Sequence, residues 1–392
     1  MNYTYHKDIN ICKHYDLCGG CNKLDVLYSQ QIKEKKEKVK KYYLDNNIME
    51  FPLSQIIESP QIYEYRNHME LSFGDLEIDG KLQLGLHPRG KQYDVVTIDS
   101  CYIIDQDFRK IIKKTVDYFR KTELKKYHVK LKKGYLRNLK IRKGHNTNEI
   151  LINLVTTSQS DVDLRSYIDM MKELDYKGNL VGLIHTVNDD YADAVKSDRV
   201  ITCYGRDYFF EKLSDYKFKI SPLDFFQVNT KAAEKLLKVV IDYFKNDSLQ
   251  TVYDLYSGTG SIAQIVSPYV EKIIGVEIDQ SAVERARENA KLNHINNCEF
   301  IQGDVRKILN NKEIKIEKIV VDPPRPGLHS EVIKNIVDMS PQEIVYISCN
   351  PKTQAQDLKK LLYNNYHIED IKLIDMFPHT SHIESVALIV KD

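Results

Sequence analysis

Cys349 lies in YISCNP, directly after an apolar run that reads as a strand. Free cysteine is among the most buried residue types, so the plain reading is a packed thiol. Its position ahead of Asn350 and Pro351 instead puts it at the ligand-facing end of a sheet. A thiolate there could add to C6 of a pyrimidine and make C5 enolate-like, which C5 requires before it can take a methyl group. A base must then remove the C5 proton before the thiol leaves. Glu384, in PHTSHIES ahead of the final strand, can reach the same end and is the candidate base. His379 and His382 compete for that role, each equally able to serve as a loop hydrogen bonder.

A second group of residues could hold the partners of such chemistry. VDPPRPGLH puts Asp322 at the end of a strand, and Pro323 and Pro324 stiffen the loop behind it. Asp322 could accept an N–H of a planar base, while Arg325 could meet a phosphate or the base itself. Acid followed by two prolines also occurs in enzymes that alkylate exocyclic amines, but those carry an aromatic residue where this chain has Arg325. DLYSGTGSIA lies between a strand and a helix, so Gly258 and Gly260 let the backbone turn sharply and approach a ligand at the helix start. Glu277 ends the next strand, where it could accept both ribose hydroxyls of a nucleoside cofactor. GTGSIA also satisfies the nicotinamide fingerprint. Asp254 ahead of the glycines favours a sulfonium cofactor, whose positive charge acids can face and which needs no pyrophosphate site.

These residues need a scaffold, and the chain has length enough for one. With 392 residues, 42% hydrophobic and 29% charged, it is neither disordered nor membrane-like. No apolar run approaches the ~20 residues of a spanning helix, and the polar N-terminus lacks a signal core, so the cytoplasm is the expected compartment. YSQQIKEKKEKVKKYYL, from Tyr28 to Leu44, reads as an exposed helix linking two parts. From Phe51 to about Lys219 short β-rich runs dominate, with MELSFGDLEIDGKLQLGLH alternating around a turn at Asp79-Gly80 and VITCYGRDYFFEKL reading as a further hairpin. After Ile220 strands and amphipathic helices alternate, the pattern of a doubly wound α/β sheet. IEDIKLIDMF and SVALIVKD have no helix between them and are expected to pair antiparallel at one side of that sheet. The expected domains are 1–50, a cysteine motif and linker helix; 51–220, a β-rich α+β central domain; and 221–392, a class I (Rossmann-like) α/β domain with a C-terminal hairpin.

DLYSGTG, GVEID, VDPPRPGLH, YISCNP and HIES, in this order, resemble the RNA uracil-5-methyltransferase family. The resemblance runs from Cys12 to Val390. It implies transfer of a methyl group from S-adenosylmethionine to C5 of a uridine in RNA, with Cys349 as nucleophile and Glu384 as base. It further implies that Gln227, Tyr256, Glu277 and Asp322 contact the cofactor, Asp322 also lying close to the target base, with Asp304 a weaker candidate on the adenine side. RNA cytosine-5 methyltransferases usually carry a second cysteine after the Asp-Pro pair; its absence here favours uracil. 23S ribosomal RNA is the favoured substrate and transfer RNA the alternative. A non-catalytic RNA-binding protein would not need Cys349, Glu384 and Asp322 together. No protein partner is implied, and a monomer is expected.

Cys12, Cys18 and Cys21 form C-x5-C-G-G-C, and Cys101 is the best fourth ligand. Spacing permits zinc or an iron–sulfur centre equally. The resemblance implies a 4Fe-4S cluster, with zinc second, and the C-x5-C spacing departs from the C-x3-C-x2-C common in radical enzymes. Many family members also begin with a small OB-like RNA-binding barrel, for which the eleven residues before Cys12 are too few. RNA contacts are then expected from the central domain. There, Arg109 to Lys143 holds fifteen Lys/Arg against two acids in a chain of net charge +1. Tyr118, Phe119, Tyr127 and Tyr135 are interleaved with these cations and could stack on unpaired bases, although a solvated helix face with core aromatics fits the same pattern.

Overall fold

The computed structural model describes residues 11–77, 80–190, 199–245, 249–309 and 316–392. They form two compact units. One comprises the described residues up to Val26 with Ile62–Lys212 and Lys219–Asp224; the other comprises Leu27–Gln61, Leu213–Phe218 and Phe225–Asp392. The chain thus changes unit inside the segment 1–50 and again inside 51–220, where composition alone suggested continuous domains. No helix among the described residues is long and apolar enough to cross a membrane.

The second unit is built on eight strands: β1 (Leu53–Ile57), β2 (Leu249–Leu255), β3 (Val270–Glu277), β4 (Cys298–Gln302), β5 (Lys318–Val321), β6 (Glu343–Ser348), β7 (Tyr366–Ile374) and β8 (Glu384–Lys391). Their order across the sheet is β1-β7-β8-β6-β5-β2-β3-β4. Only β8 runs against its neighbours, pairing antiparallel with both β6 and β7. The expected C-terminal hairpin is therefore present, and it is β8 that slots between β7 and the parallel strands. Strand β6 reads EIVYIS and is buried along nearly its whole length, as a central strand covered on both faces must be.

Strand β1 adds in parallel to the outer edge of β7 and covers what would otherwise be an open edge of the hairpin. The helix Tyr28–Asp45 also belongs to this unit. It is not an exposed linker, because Gln31, Ile32, Lys35, Val39 and Tyr43 form one buried stripe at spacings of one, three and four residues. Two polar residues in that stripe hide it from a hydrophobicity reading. Lys35 is paired with Asp375 at 2.7 Å, and Gln31 accepts the His379 N–H at 2.9 Å. Tyr43 donates to Gln354 at 3.0 Å, tying the helix to Pro351–Leu362.

The first unit carries a seven-stranded sheet whose order is Val96–Thr97, Gln83–Leu86, His68–Gly74, Leu136–Lys143, Glu149–Thr156, Asn179–Val187, Arg199–Gly205. The expected first hairpin is present, with Phe73 opposite Leu84; Asp79 of its turn lies outside the described residues. The second expected hairpin is not formed. Arg199–Gly205 pairs with Asn179–Val187, and Phe209–Leu213 forms a separate two-stranded sheet with Tyr216–Ile220. The turn between those two strands is made by Ser214 in the left-handed conformation, φ 52°, with no glycine to signal it.

The Lys35–Asp375 pair supplies a stability test, since both side chains are almost wholly buried. Asp375→Ala leaves a buried ammonium without its counter-ion and is expected to cost about 3–5 kcal/mol in chemical denaturation. Replacing both residues by apolar ones of similar volume should recover most of that loss.

Candidate active site

The ends of β2, β3, β5 and β6 and the start of β8 lie along one edge of the sheet, because the first four strands are parallel and β8 enters from the opposite direction. Ser348 pairs with Ser385, so the next pair outward in the antiparallel register is Cys349 with Glu384. Glu384 is 4% exposed and Cys349 is half-buried. Burial and the neighbouring Asp322 push the Glu384 carboxyl up to about 8, while Arg325 opposes that rise. Burial likewise pushes the Cys349 thiol up, helped by Glu384 and Asp322 and opposed by Arg325. Asp322 is itself pushed up to about 7 by desolvation. Cys349, Glu384, Asp322 and Arg325 thus form one electrostatically coupled group.

The loop that carries Asp322 and Arg325 is clamped to the loop after Cys349. Asn350 Nδ2 donates to the Arg325 carbonyl at 3.0 Å, and Thr353 Oγ1 donates to the same oxygen at 3.2 Å. Asp357 Oδ2 accepts the Leu328 N–H at 2.7 Å and the Tyr346 hydroxyl at 2.9 Å, fixing the far end of that loop. Sequence reasoning missed Asn350 and Asp357 as positioning residues. Asn350 had a signal in the Asn-Pro that opens a helix; Asp357, mid-helix, had none.

Of the two rival histidines, His379 is buried and paired with Gln31 through both its ring Nδ1, 3.2 Å, and its backbone N–H. That is a structural role. His382 is half-buried, and burial together with Arg325, Lys38 and Lys35 pushes its pKa down. It lies close to the coupled group but is held neutral.

The glycine loop has the expected form, and its two glycines do different things. Gly258 adopts φ 52° and an added Cβ would meet nothing within 4 Å, so its side is open. Gly260, at φ 76°, would bring a Cβ to 2.6 Å from the Phe300 ring, so only glycine packs there. Tyr256 is also left-handed, at φ 64°, a strained conformation for an aromatic residue. Glu277 accepts the Gly258 N–H at 3.0 Å and the Asp279 N–H at 2.9 Å, bracing the loop with its two oxygens.

Asp254 is fully buried, and desolvation, with Asp322 and Glu277 nearby, pushes it up to about 8. Its Oδ2 accepts the Ala263 N–H at 3.1 Å, holding the helix start. Its Oδ1 and the Ser257 hydroxyl are buried without a hydrogen-bond partner among the described residues. Unmet polar atoms beside an open glycine are what a polar, positively charged ligand such as S-adenosylmethionine fits. Arg306 grips the Asp304 carboxylate through Nε at 3.0 and 2.9 Å and holds its pKa down to about 2. Gln227 is half-buried, just ahead of the helix Thr230–Asp242.

These arrangements agree with what the chain is similar to. The sequence model of the tRNA (uracil-5-)-methyltransferase family matches residues 27–392. The chain belongs to this family. It is an S-adenosylmethionine-dependent RNA methyltransferase of the uracil-C5 family, so the reading as a non-catalytic binder falls. An uncharacterized RNA methyltransferase of Clostridium tetani is 47% identical over 375 residues, covering 96% of this chain and 82% of that protein. One from Staphylococcus aureus is 32% identical over 385 residues, covering 96% and 83%. Among solved structures, the Pyrococcus abyssi tRNA (uracil-54, C5)-methyltransferase in complex with S-adenosyl-L-homocysteine is similar with a TM-score of 0.77. It shares 28% identity and covers 95% of this chain and 86% of its own.

In the first unit the four expected cysteines are neighbours. Cys12, Cys18 and Cys101 are buried, and Cys21 is half-buried. Burial pushes Cys21 up to about 12, with Cys101, Cys18 and Cys12 adding to the shift. Cys101 is also pushed up to about 12 by burial, with Cys12 and Cys18 contributing. The Gly20 N–H donates to Cys18 Sγ at 3.3 Å. An added Cβ at Gly19 would sit 2.7 Å from the His87 carbonyl, so the turn between Cys18 and Cys21 needs that glycine. The thiols converge, yet no three His, Cys, Asp or Glu side chains among the described residues are arranged to hold a metal ion. Cys203 and Cys298 stand apart, each directing its thiol to a backbone carbonyl, of Ile201 and Ala263 respectively.

The coupling around Cys349 can be read by alkylation followed peptide by peptide with mass spectrometry. Glu384→Gln removes a neighbouring negative charge and should speed modification of Cys349 at pH 8 several-fold. Arg325→Ala removes the opposing cation and should slow it.

Proposed function

We propose that methyl transfer to uridine C5 proceeds through a covalent adduct between Cys349 and C6, with Glu384 as the base. The observation that carries this reading is the β6–β8 register, in which Cys349 and Glu384 are the pair beyond Ser348 and Ser385. Cys349, as the thiolate, forms the bond to C6, and the electrons of the C5–C6 double bond pass toward C5. S-adenosylmethionine supplies the methyl electrophile. Gln227, Tyr256, Glu277 and Asp322, with the loop of Gly258 and Gly260, are the residues we assign to holding it, and Asp304 is assigned to its adenine side. Once C5 carries the methyl, Glu384 takes the C5 proton. The electrons of that C–H bond re-form the double bond and expel the Cys349 thiolate. Asp322 orients the base through its N–H, and Arg325 stabilises negative charge at the thiolate or a phosphate.

The pH behaviour follows from the two acidic groups. Glu384 must be ionised to accept a proton, and its carboxyl is pushed up to about 8. Cys349 must be ionised to attack, and its thiol is also pushed up. Turnover should therefore climb as pH rises through 7 and 8, with no fall on the alkaline side in that range. Glu384→Gln should lower kcat by about 10²–10⁴-fold while the Cys349 adduct accumulates. Cys349→Ala should abolish turnover and also covalent trapping on a 5-fluorouracil transcript. Release of that transcript from the unaltered protein on denaturation would overturn the covalent reading.

For the substrate we favour 23S ribosomal RNA on the resemblance of the whole chain. Transfer RNA is the second reading, favoured by the likeness to the Pyrococcus abyssi tRNA enzyme. Mapping 5-methyluridine in both RNAs of a deletion strain decides between them.

We assign Cys12, Cys18, Cys21 and Cys101 to a 4Fe-4S cluster, with zinc second. The C-x5-C-G-G-C spacing and the burial of Cys12, Cys18 and Cys101 support a soft metal centre, since a bound metal would stabilise thiolates there. Methyl transfer moves no net electrons, so the centre is structural or RNA-facing. Purified anaerobically, the protein should carry iron and sulfide, and Cys101→Ser should lose both and melt at lower temperature.

A further inference from the structure

The basic stretch 109–143 does not act as one surface, because the fold uses much of it internally. Lys110 pairs with Asp175, Lys140 with Glu70, Arg109 with Glu64, Lys126 with Asp75, and Lys143 with Asp105 and Asp107. Arg137 donates to the carbonyls of Asn188 and Asp190, and Arg142 to those of Pro222 and Asp224. Of the exposed cations that remain, Lys113, Lys114 and Lys121 lie on or just after the helix Gln106–Phe119, while Lys125, Lys130 and Lys133 share one feature, a finger formed by residues 125–136.

Two short segments form its stem. The Tyr127 N–H donates to the Leu136 carbonyl at 2.7 Å, the His128 N–H to Lys133 at 2.7 Å, and the Tyr135 N–H to Lys125 at 2.9 Å. The tip closes through the Lys132 N–H to the His128 carbonyl at 2.7 Å, with Lys132 left-handed at φ 55°. Gln159 braces the finger from outside, accepting from the Gly134 N–H and donating to the Lys132 carbonyl. Tyr127 and Tyr135 are buried at the base, and Arg137 lies 4.6 Å from the Tyr127 ring centroid. These aromatics are anchors, not the stacking surface their interleaving suggested. The finger is therefore preorganised.

Its outer face is cationic and apolar at once. Lys125, Lys130 and Lys133 are exposed and have no carboxylate partner among the described residues. Val129 and Leu131 are exposed at the tip, Leu131 to 66%. Beside them Tyr93 is 52% exposed, with Lys130 Nζ at 4.5 Å from its ring centroid. A rigid turn that presents large apolar side chains to solvent among unpaired lysines is a costly surface for a protein that leaves it bare. Lysines beside an exposed aromatic are the combination that binds a nucleic-acid backbone together with an unstacked base.

We propose that this finger, with Tyr93, is a docking site for the substrate RNA, carried on the first unit, whereas Cys349 and Glu384 belong to the second. Lys125, Lys130 and Lys133 contact phosphates, while Tyr93 and the apolar tip receive an unpaired base. The proposal rests on the RNA methyltransferase reading and extends it to how the RNA is held. The chemistry is that of single-stranded or looped RNA, because the aromatic has a use only where a base is unstacked.

The test measures binding of a fluorescent 40-nucleotide uridine-rich RNA by anisotropy across a potassium chloride series, using the full chain and the K125A/K130A/K133A variant. Losing three phosphate contacts should flatten the log Kd against log salt slope by about 2, from ~0.7 per contact, and weaken binding roughly tenfold or more at 0.15 M salt. Tyr93→Ala should weaken binding without changing the slope. Unchanged thermal melting of both variants separates these effects from misfolding. If the triple variant binds with the affinity and salt slope of the unaltered chain, the proposal is wrong, and an acidic protein becomes the better occupant of the finger. Failure of the underlying reading looks different: the unaltered chain would then methylate no cellular RNA at all.

Discussion

Ser348 faces Ser385 across β6 and β8, and everything chemical at this end of the sheet follows from that pairing. Because the last residue of β6 opposes the second of β8, the residue after β6 opposes the first of β8, so Cys349 and Glu384 meet without any long-range loop having to bring them together. A slip of one residue would set Cys349 against Ile383 or Ser385 and turn alternate side chains of β8 to the wrong face. The register is protected from both sides. β7 pairs with β8 along its length, ending at Ile374 opposite Glu384, and β1 in turn pairs with β7, Ile57 opposite Ile374. The strand supplied from before the first unit's main segment thus buttresses Glu384, two strands away.

The same edge of the sheet gathers acids. Asp254, Glu277 and Asp322 lie at or just beyond the ends of β2, β3 and β5, and Glu384 begins β8, with β6 between β8 and β5; Asp254, Asp322 and Glu384 are pushed toward the protonated form by burial. Arg325 is the cation that opposes the shift at both Glu384 and Cys349, and Asn350 and Thr353 hold its loop by the Arg325 carbonyl. A site so arranged favours cationic ligands. By linkage, any cation that enters lowers the proton affinity of the acids around it, so occupancy and the ionisation of Glu384 are coupled.

Much of this was legible in the sequence where residue type and strand position spoke together. Cys349, Asp322, Glu277 and the Gly258–Gly260 loop all follow strands of a parallel pattern, and in such sheets ligands gather beyond those ends. The docked helix Tyr28–Asp45 was illegible because its buried stripe contains Lys35 and Gln31, whose partners Asp375 and His379 lie more than three hundred residues away. Strand β1 was illegible for a related reason: five residues carry too little pattern to reveal a partner at the far end of the chain. Asp357 looked like any acid on a helix, and only its contacts to Leu328 and Tyr346 make it a brace for the Asp322 loop.

Charge was the least legible quantity, since counting along the chain adds groups that the fold separates. Within the run from Arg109 to Lys143, some cations meet Glu64, Asp75, Asp105, Asp107 and Asp175, while others, Lys125, Lys130 and Lys133 of the finger among them, meet solvent. Its aromatics divide the same way. Tyr127 and Tyr135 face inward at the stem because a short hairpin carries too few stem hydrogen bonds to stand alone and needs apolar anchorage. The ring left to meet a base is Tyr93, which lies outside the basic run in sequence and reaches it in space. The surface proposed to grip RNA is thus assembled from a neutral-looking loop and three of the lysines that the fold leaves exposed, Lys125, Lys130 and Lys133.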